Sequence, residues 1–218
     1  MDPSGSVRFF DAQFRRQDAA QEFLLNPFEL RALPFTAGRV LELGCGLGNL
    51  CVAAAERGAR VSALDASPAA IESLSRRART LGLEIVARCA DLADYVPEGS
   101  YDTVVAIGLF MFFPCDTGRR QLERALMAVR PGGMAVVNVL IEGTTFMEMF
   151  DRQRGYCLFG ETDLPLAMAG WHLLDDRVEQ FDAPGNTIKR FRTSIARRPY
   201  VGGSAARVED SQPRRTAR

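Results

Sequence analysis

Val40-Leu41-Glu42-Leu43-Gly44-Cys45-Gly46-Leu47-Gly48-Asn49-Leu50 is the stretch from which the fold of this chain can be worked out. The apolar run over 40–43 predicts a short buried strand, and three glycines at alternate positions end it. The small, apolar residues 50–55 then predict the first turns of a helix. A glycine turn before a helix N-terminus lets a ligand approach the backbone closely and favours negative groups. The stretch therefore predicts a nucleotide-type site in an α/β fold.

The spacing of the glycines separates two classes of ligand. Dinucleotide-binding enzymes use G-x-G-x-x-G, whereas the glycines here stand at 44, 46 and 48, two residues after Glu42. This pattern resembles the first motif of class I S-adenosylmethionine-dependent methyltransferases, (E/D)-x-G-x-G-x-G. The resemblance implies S-adenosylmethionine as the cofactor and S-adenosylhomocysteine as the product. Two alternatives remain open: a Rossmann-type oxidoreductase, and a regulatory protein that binds the cofactor without catalysis.

Strand-like and helix-like segments alternate from residue 38 onward, which is typical of a mostly parallel sheet with crossover helices. The predicted strands are 39–43, 60–65, 83–88, 101–107, 134–140, 171–180 and 187–196, and the predicted helices are 47–57, 67–81 and 117–129. The resemblance implies a Rossmann-like seven-stranded methyltransferase sheet in a three-layer sandwich, with the last strand antiparallel. We expect a helical lid segment over 1–37, the methyltransferase domain over 38–198 and a disordered tail over 199–218.

The N-terminal segment carries several aromatic residues at helical spacing over 7–32. Pro27 is expected to break it into a longer and a shorter helix. One interpretation is a helix that packs on the edge of the sheet. The resemblance implies another, in which this segment closes over cofactor and acceptor. The residues expected to line the substrate pocket are Phe10, Phe14 and Arg15, with Arg16 as the alternative to Arg15, from this segment, and Phe112 from the aromatic run after the fourth strand.

Asp65 ends the second predicted strand, about twenty residues after the glycines, where a carboxylate can accept hydrogen bonds from two ribose hydroxyls. The alternative is a solvent-facing N-cap for the next helix. The resemblance implies that Asp91 and Leu92 hold the adenine, although Asp94 competes for that position. The predicted cofactor-binding residues are Glu42, Gly44, Cys45, Gly46, Gly48, Asp65, Ala66, Asp91, Leu92, Ile107 and Gly108.

Composition excludes several function classes. The 27 basic and 27 acidic residues cancel, so no global field recruits nucleic acid. No apolar run approaches the roughly 20 residues of a membrane helix, and the N-terminus lacks the pattern of a secretory signal. Five cysteines without C-x-x-C spacing argue against a disulfide frame or a zinc site and favour a reducing compartment. We therefore expect a cytoplasmic monomer or homodimer that acts on a small molecule, away from membranes.

The sequence offers no obvious acid–base pair and no metal-ligand cluster, so the catalytic residue is unknown and no metal is expected. Cys45 is interpreted as a small filler in the loop, because no cation nearby in sequence would activate its thiol. His172, the sole histidine, is interpreted as structural. The loop (N/D)-P-P-(Y/F), which holds an exocyclic amine, is missing after the fourth strand, which disfavours methylation of nucleic-acid bases.

Three further motifs resemble the tellurite-resistance branch of the methyltransferases: Gly108-Leu109-Phe110-Met111-Phe112, Arg130-Pro131-Gly132-Gly133 and Gly185-Asn186-Thr187-Ile188-Lys189. That branch places His-Arg before the Gly-Asn pair and Arg directly after it, where this chain has Phe181-Asp182 and Thr187. Oxyanion binding relies on paired cationic donors. The resemblance therefore makes this branch the nearest relative and leaves the acceptor open, and the missing cations predict that tellurite is not the principal substrate.

Overall fold

A computed structural model describes residues 4–200, and within them seven strands form one sheet. The strands are β1 (Arg39–Leu43), β2 (Arg60–Asp65), β3 (Ile85–Cys89), β4 (Tyr101–Ile107), β5 (Val129–Leu140), β6 (His172–Ala183) and β7 (Thr187–Arg197). Their order is β3-β2-β1-β4-β5-β7-β6. Strands β1 to β5 pair in parallel, and β7 runs antiparallel to both β5 and β6. The predicted seven-stranded sheet with an antiparallel last strand is confirmed.

Helices cover both faces of the sheet. They are α1 (Gly5–Ala19), α2 (Pro27–Ala32), α3 (Asn49–Glu56), α4 (Pro68–Leu81), α5 (Cys115–Met127) and α6 (Asp163–Ala167), with 3-10 turns at Leu33–Phe35 and Phe110–Phe112. Alternate residues of the central strands enter two separate apolar cores: Leu41 and Leu43 pack on the α5 side, whereas Val40 packs on the α3 side. This alternation explains why β1 and β4 are almost continuously apolar.

Two N-terminal helices form, but Pro27 does not separate them. The first helix already ends at Ala19, and Pro27 is instead the first residue of α2. The Asn26 side chain accepts from the Phe28 and Glu29 N–H groups at 2.9 and 3.0 Å, and the Glu29 carboxylate accepts from the Asn26 N–H at 2.7 Å. Proline suits the first position of a helix, where a backbone N–H has no intrahelical partner, so together with this reciprocal cap Pro27 begins α2.

Several element boundaries differ from the sequence prediction. Strand β5 begins at Val129, because Pro131-Gly132-Gly133 is accommodated within an irregular stretch of its pairing with β4. Helix α5 begins at Cys115, two residues before the predicted start, and the short α6 was not predicted. The predicted tail lies almost wholly outside the described residues, from 201 onward.

The prediction against disulfides was wrong for one pair of cysteines. Cys115, at the start of α5, is bonded to Cys157, 42 residues later, and their Cα atoms lie 4.6 Å apart. Residue spacing does not reveal this proximity, because it arises only when the segment after β5 folds back onto the start of α5. Within residues 4–200, Cys45, Cys51 and Cys89 are free thiols.

The strand order places a crevice between β1 and β4. The chain leaves β1 toward β2 and β3, then returns to build β4 and β5 on the other side of β1. Connections therefore diverge at the carboxyl ends of β1 and β4, and open α/β sheets bind ligands at such a switch point.

Candidate functional site

The glycine loop, residues 44–48, turns back over the end of β2. The N–H groups of Gly44 and Cys45 both donate to the Leu64 carbonyl, at 2.8 and 3.0 Å. Gly46 and Gly48 have φ angles of 52° and 68°, which side-chain-bearing residues rarely adopt. A Cβ on Gly48 would lie 2.5 Å from the Leu74 side chain, and a Cβ on Gly46 would lie 3.0 Å from the Phe14 ring. Glycine is needed because α4 and α1 both press on the loop.

Asp65 closes the glycine loop from the end of β2. Its Oδ2 accepts from the Gly46 N–H and its Oδ1 from the Ser67 N–H, each at 2.8 Å. Burial raises the pKa of this carboxyl, although the backbone donors oppose the shift. The alternative interpretation of Asp65 as an N-cap is wrong, because the Ser67 hydroxyl caps α4 by accepting from the Ala70 N–H at 3.1 Å. Each oxygen of Asp65 retains a lone pair for a further donor.

Glu42 lies beneath the glycine loop and is buried on the α3 side of the sheet. The Cys51 thiol donates to its Oε2 at 2.9 Å. Burial raises the pKa of Glu42 to about 8 and that of the Cys51 thiol well above its ordinary value. Cys45 is also buried and sits next to this pair. The buried thiols favour the interpretation of Cys45 as a filler over that of a nucleophile.

The ends of β3 and β4 complete this edge of the sheet. Asp91 is exposed and its Oδ1 accepts from the Ala93 N–H at 2.9 Å, while Leu92 is buried. The competing Asp94 has a 95% exposed side chain and pairs with Arg120 at 3.7 Å. Across the crevice, the Gly108 N–H donates to the Asn138 carbonyl at 3.0 Å. The structure thus places the predicted cofactor residues of four strands at one edge.

Helix α1 crosses this edge and is held through three carboxylates, of which Asp18 accepts from the Ser73 hydroxyl at 2.5 Å and from Arg76 at 2.7 Å. The Asp11 Oδ1 accepts from the Ser67 hydroxyl at 2.6 Å and from the Ala69 N–H at 3.2 Å, at the start of α4. At the other end, the Asp151 Oδ2 accepts from the Gly5 N–H at 2.6 Å, which lowers the pKa of Asp151. These contacts hold Phe14 over Gly46.

A row of aromatic rings extends from the glycine loop to the segment after β5. We call Phe14, Phe10, Phe112, Phe150 and Tyr156 the ring row; successive ring centroids are 6.0, 5.1, 5.4 and 4.6 Å apart. Three of the four residues predicted for the substrate pocket therefore lie together. The fourth, Arg15, does not join them: its side chain is 64% exposed and pairs with Asp11 at 2.9 Å.

The last two rings of the row belong to the acceptor wall, which we define as residues 144–158. Between this wall, the first turns of α1 and the β6–β7 hairpin lies an open groove of about 950 Å³. Phe9, Phe146 and Phe150 supply apolar surface in the groove. Its charged lining residues are Arg8, Arg152, Glu148 and Asp151, two of each sign. The groove adjoins the ring row rather than the glycine loop.

His172 lies far from this edge. It begins β6 in register with Arg197, which pairs in turn with Met134 near the start of β5. The glycine loop follows the carboxyl end of β1, at the opposite edge of the sheet. This position supports the structural interpretation of His172. Among residues 4–200, no group of three potential metal-ligating side chains is present.

Sequence reasoning missed four residues that shape the site: Asp11, Asp151, Phe150 and Tyr156. Asp11 and Asp151 are ordinary acidic residues in the sequence, and no local pattern distinguishes them from solvated charges. Phe150 and Tyr156 lie in a stretch without helical or strand periodicity. Their aromatic content after β5 was the only available signal.

Comparison with known proteins supports the interpretation of this edge. A protein-family profile described as a methyltransferase domain matches residues 40–133. A ubiquinone biosynthesis O-methyltransferase from Nitrobacter winogradskyi is 30% identical over 141 residues, which are 64% of this chain and 52% of that protein. A second one, from Bradyrhizobium sp., is 29% identical over 140 residues, 64% of this chain and 54% of that protein. The chain spans about half the length of these curated relatives.

Solved structures show the same fold. TehB from Haemophilus influenzae matches with a TM-score of 0.69 and 19% identity over 80% of this chain and 62% of that one. The N-methyltransferase NodS from Bradyrhizobium japonicum, in complex with S-adenosylhomocysteine, matches with a TM-score of 0.65 and 18% identity over 87% and 98%. At these identities the likeness concerns the fold alone. The stretch that matches the methyltransferase domain, residues 40–133, contains the glycine loop, Asp65 and Asp91.

Proposed function

We propose that this protein is an S-adenosylmethionine-dependent methyltransferase that methylates a small organic molecule by direct in-line transfer. The observation that carries the proposal is the convergence of the glycine loop, Asp65 and Asp91 on one edge of the sheet, at its switch point. This edge belongs to a matched methyltransferase domain. The ring row lies beside it and supplies a surface for the acceptor.

The residues at this edge suit the cofactor. Gly46 carries no side chain, and the Phe14 ring occupies the space beside it, so a ligand can approach the main chain there once Phe14 moves or packs against it. Asp65 has unused lone pairs for two ribose hydroxyls. Asp91 and Leu92 are assigned to the adenine, and the backbone of Ile107 and Gly108 to the methionine part. Glu42 lies beneath the loop, and we assign it to the cofactor site because it belongs to β1, the strand that carries the loop.

Methyl transfer from this cofactor mainly requires the protein to position the reactants. S-adenosylmethionine supplies a methyl group on a positively charged sulfur, already activated for transfer. The residues of this chain therefore orient the reactants and exclude water. We assign this role to α1 as a lid, with Phe14 over the glycine loop. Because His172 lies at the opposite edge, we assign it no role as a base, and we favour an acceptor atom that is nucleophilic without one, such as a neutral amine, a thiolate or a phenolate.

The ring row favours an acceptor with an aromatic or otherwise apolar body. Such bodies bury well against phenylalanine rings. Tellurite would need cationic donors near the β6–β7 hairpin, but Phe181 packs there against Phe28 and Phe191, with ring centroids 5.6 and 5.9 Å away. Thr187 donates to the Pro184 carbonyl at 2.7 Å. The balanced charges of the groove give no excess of cations for an oxyanion.

Calorimetric titration tests the cofactor assignment. S-adenosylmethionine is expected to bind and NAD to leave the heat signal unchanged. The reverse result would favour the oxidoreductase alternative.

A methyl-release assay over a panel of acceptors tests the reaction. Phenols, amines and thiols on aromatic frames are compared with tellurite and selenite at matched concentrations. At least one organic acceptor is expected to turn over faster than tellurite. Turnover of tellurite as fast as the best organic acceptor would refute the acceptor class, and cofactor binding without any turnover would favour the regulatory alternative.

The remaining assignments concern where the protein acts, on what kind of partner and in what assembly. No helix within residues 4–200 is long and apolar enough to cross a membrane. The balanced charge supports action on a small molecule without nucleic acid. We assign the protein to the cytoplasm as a monomer or homodimer, with residues 1–37 as the lid segment and 38–198 as the catalytic domain. Fractionation and light scattering test these assignments.

A further inference from the structure

The disulfide joins the two parts of the protein that hold the ring row together. Cys115 directly follows Pro114 and the 3-10 turn Phe110–Phe112, so it stands three residues after Phe112. Cys157 directly follows Tyr156 in the acceptor wall. Phe112 contacts Phe150, and Phe150 contacts Tyr156, with ring centroids 5.4 and 4.6 Å apart. The covalent bond therefore fixes the spacing of three rings of the row.

The consequences of this bond extend to the lid. The acceptor wall holds the first turn of α1 through Asp151, which accepts from the Gly5 N–H at 2.6 Å and donates its own N–H to the Ser6 hydroxyl at 3.0 Å. The acceptor wall thus contacts α1 through Asp151, near the middle of the wall, and is bonded to α5 through Cys157, near the end of the wall. Breaking the disulfide at Cys157 is therefore expected to change how firmly the wall holds the first turn of α1.

The wall keeps other anchors when the bond is open. The Phe159 N–H donates to the Leu140 carbonyl at 3.0 Å, and the Glu142 N–H donates to the Phe159 carbonyl at 2.9 Å. Phe146 and Met149 are both buried. These contacts hold the two ends of the acceptor wall independently of the disulfide. The reduced protein is therefore expected to remain folded, with greater mobility concentrated in residues 146–156.

We propose that Cys115–Cys157 is a thiol–disulfide exchange site through which a dithiol reductant loosens the acceptor wall. Cys115 is half-buried and Cys157 fully buried, so the reductant's thiolate attacks the sulfur of Cys115. The sulfur–sulfur bond breaks and Cys157 leaves as a thiolate, which takes up a proton. The second thiolate of the reductant then attacks the mixed disulfide and releases Cys115. The protein gains two electrons and two protons, and the dithiol becomes a disulfide.

The effect on acceptor binding rests on the proposed methyltransferase function; the exchange reaction itself does not. Intracellular disulfides of mesophiles are usually transient, catalytic or redox-sensing, so a bond at this place suits control more than permanent stability. The oxidised protein presents an ordered wall and binds the acceptor well. The reduced protein binds the cofactor equally well, because the contacts of Asp11 with Ser67 and Ala69 still hold α1 beside the glycine loop. It binds the acceptor less well, because Phe150 and Tyr156 lie in the wall itself.

The first experiment measures the bond and the wall directly, on the full-length protein without any acceptor. Air-oxidised and dithiothreitol-treated samples are alkylated under native conditions and analysed by mass spectrometry. Reduction is expected to add alkyl groups at Cys115, and at Cys157 once the wall opens, and to speed hydrogen exchange of residues 146–156 about tenfold. Residues 60–65 in β2 serve as the internal reference. A free Cys115 in the oxidised sample, or equal exchange of 146–156 in both states, would overturn the proposal.

Variants separate this site from the other thiols. Cys115→Ser, Cys157→Ser and the double variant should show fast exchange over 146–156 and no response to dithiothreitol. Cys89→Ser, which removes an exposed thiol elsewhere, should respond as the wild type does. A response that persists in the double variant, or disappears in Cys89→Ser, would overturn the proposal.

Kinetics distinguish a failure of this inference from a failure of the proposed function. With an acceptor found in the panel, reduction should raise its KM about five- to twentyfold and change the Kd of S-adenosylmethionine less than twofold. Reoxidation should restore the wild type alone. Unchanged KM in a fully reduced sample would refute control of acceptor binding. If no acceptor is methylated, the function fails, while the alkylation and exchange results still decide whether the redox site exists.

Discussion

The glycine loop, Asp65, Asp91 and Gly108, which we call the cofactor edge, lie next to the acceptor wall, yet the two regions are built in opposite ways. At the cofactor edge, backbone groups of adjoining loops bind Asp65, and Gly46 is only 19 residues from it. The acceptor wall has little regular structure. It is attached to Gly5 across 146 residues, to Ile188 across 43 and to Cys115 across 42.

This contrast indicates that cofactor binding and acceptor selection depend on different kinds of contact. Local backbone geometry preorganises the cofactor edge, so few residue substitutions are tolerated there. The wall depends on side chains brought from distant parts of the chain, and exchanging a few of them would change the acceptor without disturbing the loop. Four predictions test how independent the two regions are.

The largest effect is expected from removing α1, which contacts both regions. Deletion of residues 1–20 should lower turnover at least about a thousandfold, or ~4 kcal/mol in the transition state, because water exclusion and alignment are lost. Turnover is measured per folded molecule, with the folded fraction from circular dichroism. Phe14→Ala should cause part of this loss, and Ala12→Ser, exposed on the same helix, should cause none.

Hydrogen exchange decides between a lid and a helix that merely covers the sheet edge. Residues 7–25 should gain protection when S-adenosylhomocysteine binds. Equal protection with and without the ligand, together with unchanged turnover of the truncated protein, would leave α1 only a covering role. The two regions would then be independent.

Glu42→Gln tests the buried centre of the cofactor edge. The folded-state pKa of about 8 lies above the ordinary value of 4.5, so the folded protein holds this proton more tightly than the unfolded chain. Stability from this group is therefore greatest at low pH and declines between about pH 4.5 and 8. From pH 5 to 9, the unfolding free energy of the wild type should fall about 3 to 5 kcal/mol more than that of Glu42→Gln.

Urea denaturation across that pH range measures this difference. Glu56→Gln, an exposed carboxyl on the same helix as Cys51, is the matched control and should follow the wild type. Parallel pH curves for the wild type and Glu42→Gln would show that Glu42 ionises normally. The buried contact with Cys51 would then not describe the protein in solution.

Asp65→Asn tests the ribose assignment. Loss of charged hydrogen bonds should weaken S-adenosylmethionine binding by about 1.5–3 kcal/mol, roughly 10- to 150-fold in Kd. Because Asp65 also accepts from Gly46 and Ser67, a modest loss of stability is expected as well. Calorimetry gives the Kd, and Asp94→Asn is the control. An unchanged Kd would remove Asp65 from the site.

The smallest effect should come from Asp91→Ala. One exposed hydrogen bond to the adenine contributes about 0.5–1.5 kcal/mol, so the Kd of the cofactor should rise about two- to tenfold. Asp94→Ala should leave the Kd unchanged. The opposite pattern would assign the adenine to Asp94 and shift the register of the loop after β3. The KM of the acceptor should be unchanged in both variants if the wall is independent.

Much of the fold could be predicted because the relevant interactions are local in sequence. The bounds of β1, β2 and β4 agree with the prediction, since each is an apolar run between clear breaks. Ser67 before Pro68 marked the start of α4, and Gly82 its end, through capping rules that need only neighbouring residues. The start of β5 was less accessible, because Pro131-Gly132-Gly133 has the composition of a turn.

Short stretches of sequence were enough to predict the bounds of most strands, the glycine loop and the position of Asp65, because element type and backbone conformation depend mainly on neighbouring residues. Three-dimensional packing was needed to show that Phe14 covers Gly46, that Arg15 faces solvent, and that Cys115 meets Cys157. These contacts join residues 32 to 42 positions apart, or adjacent ones whose direction depends on packing. The physical reason is that long-range contacts form where surfaces are complementary in three dimensions, and no short stretch of sequence carries that information.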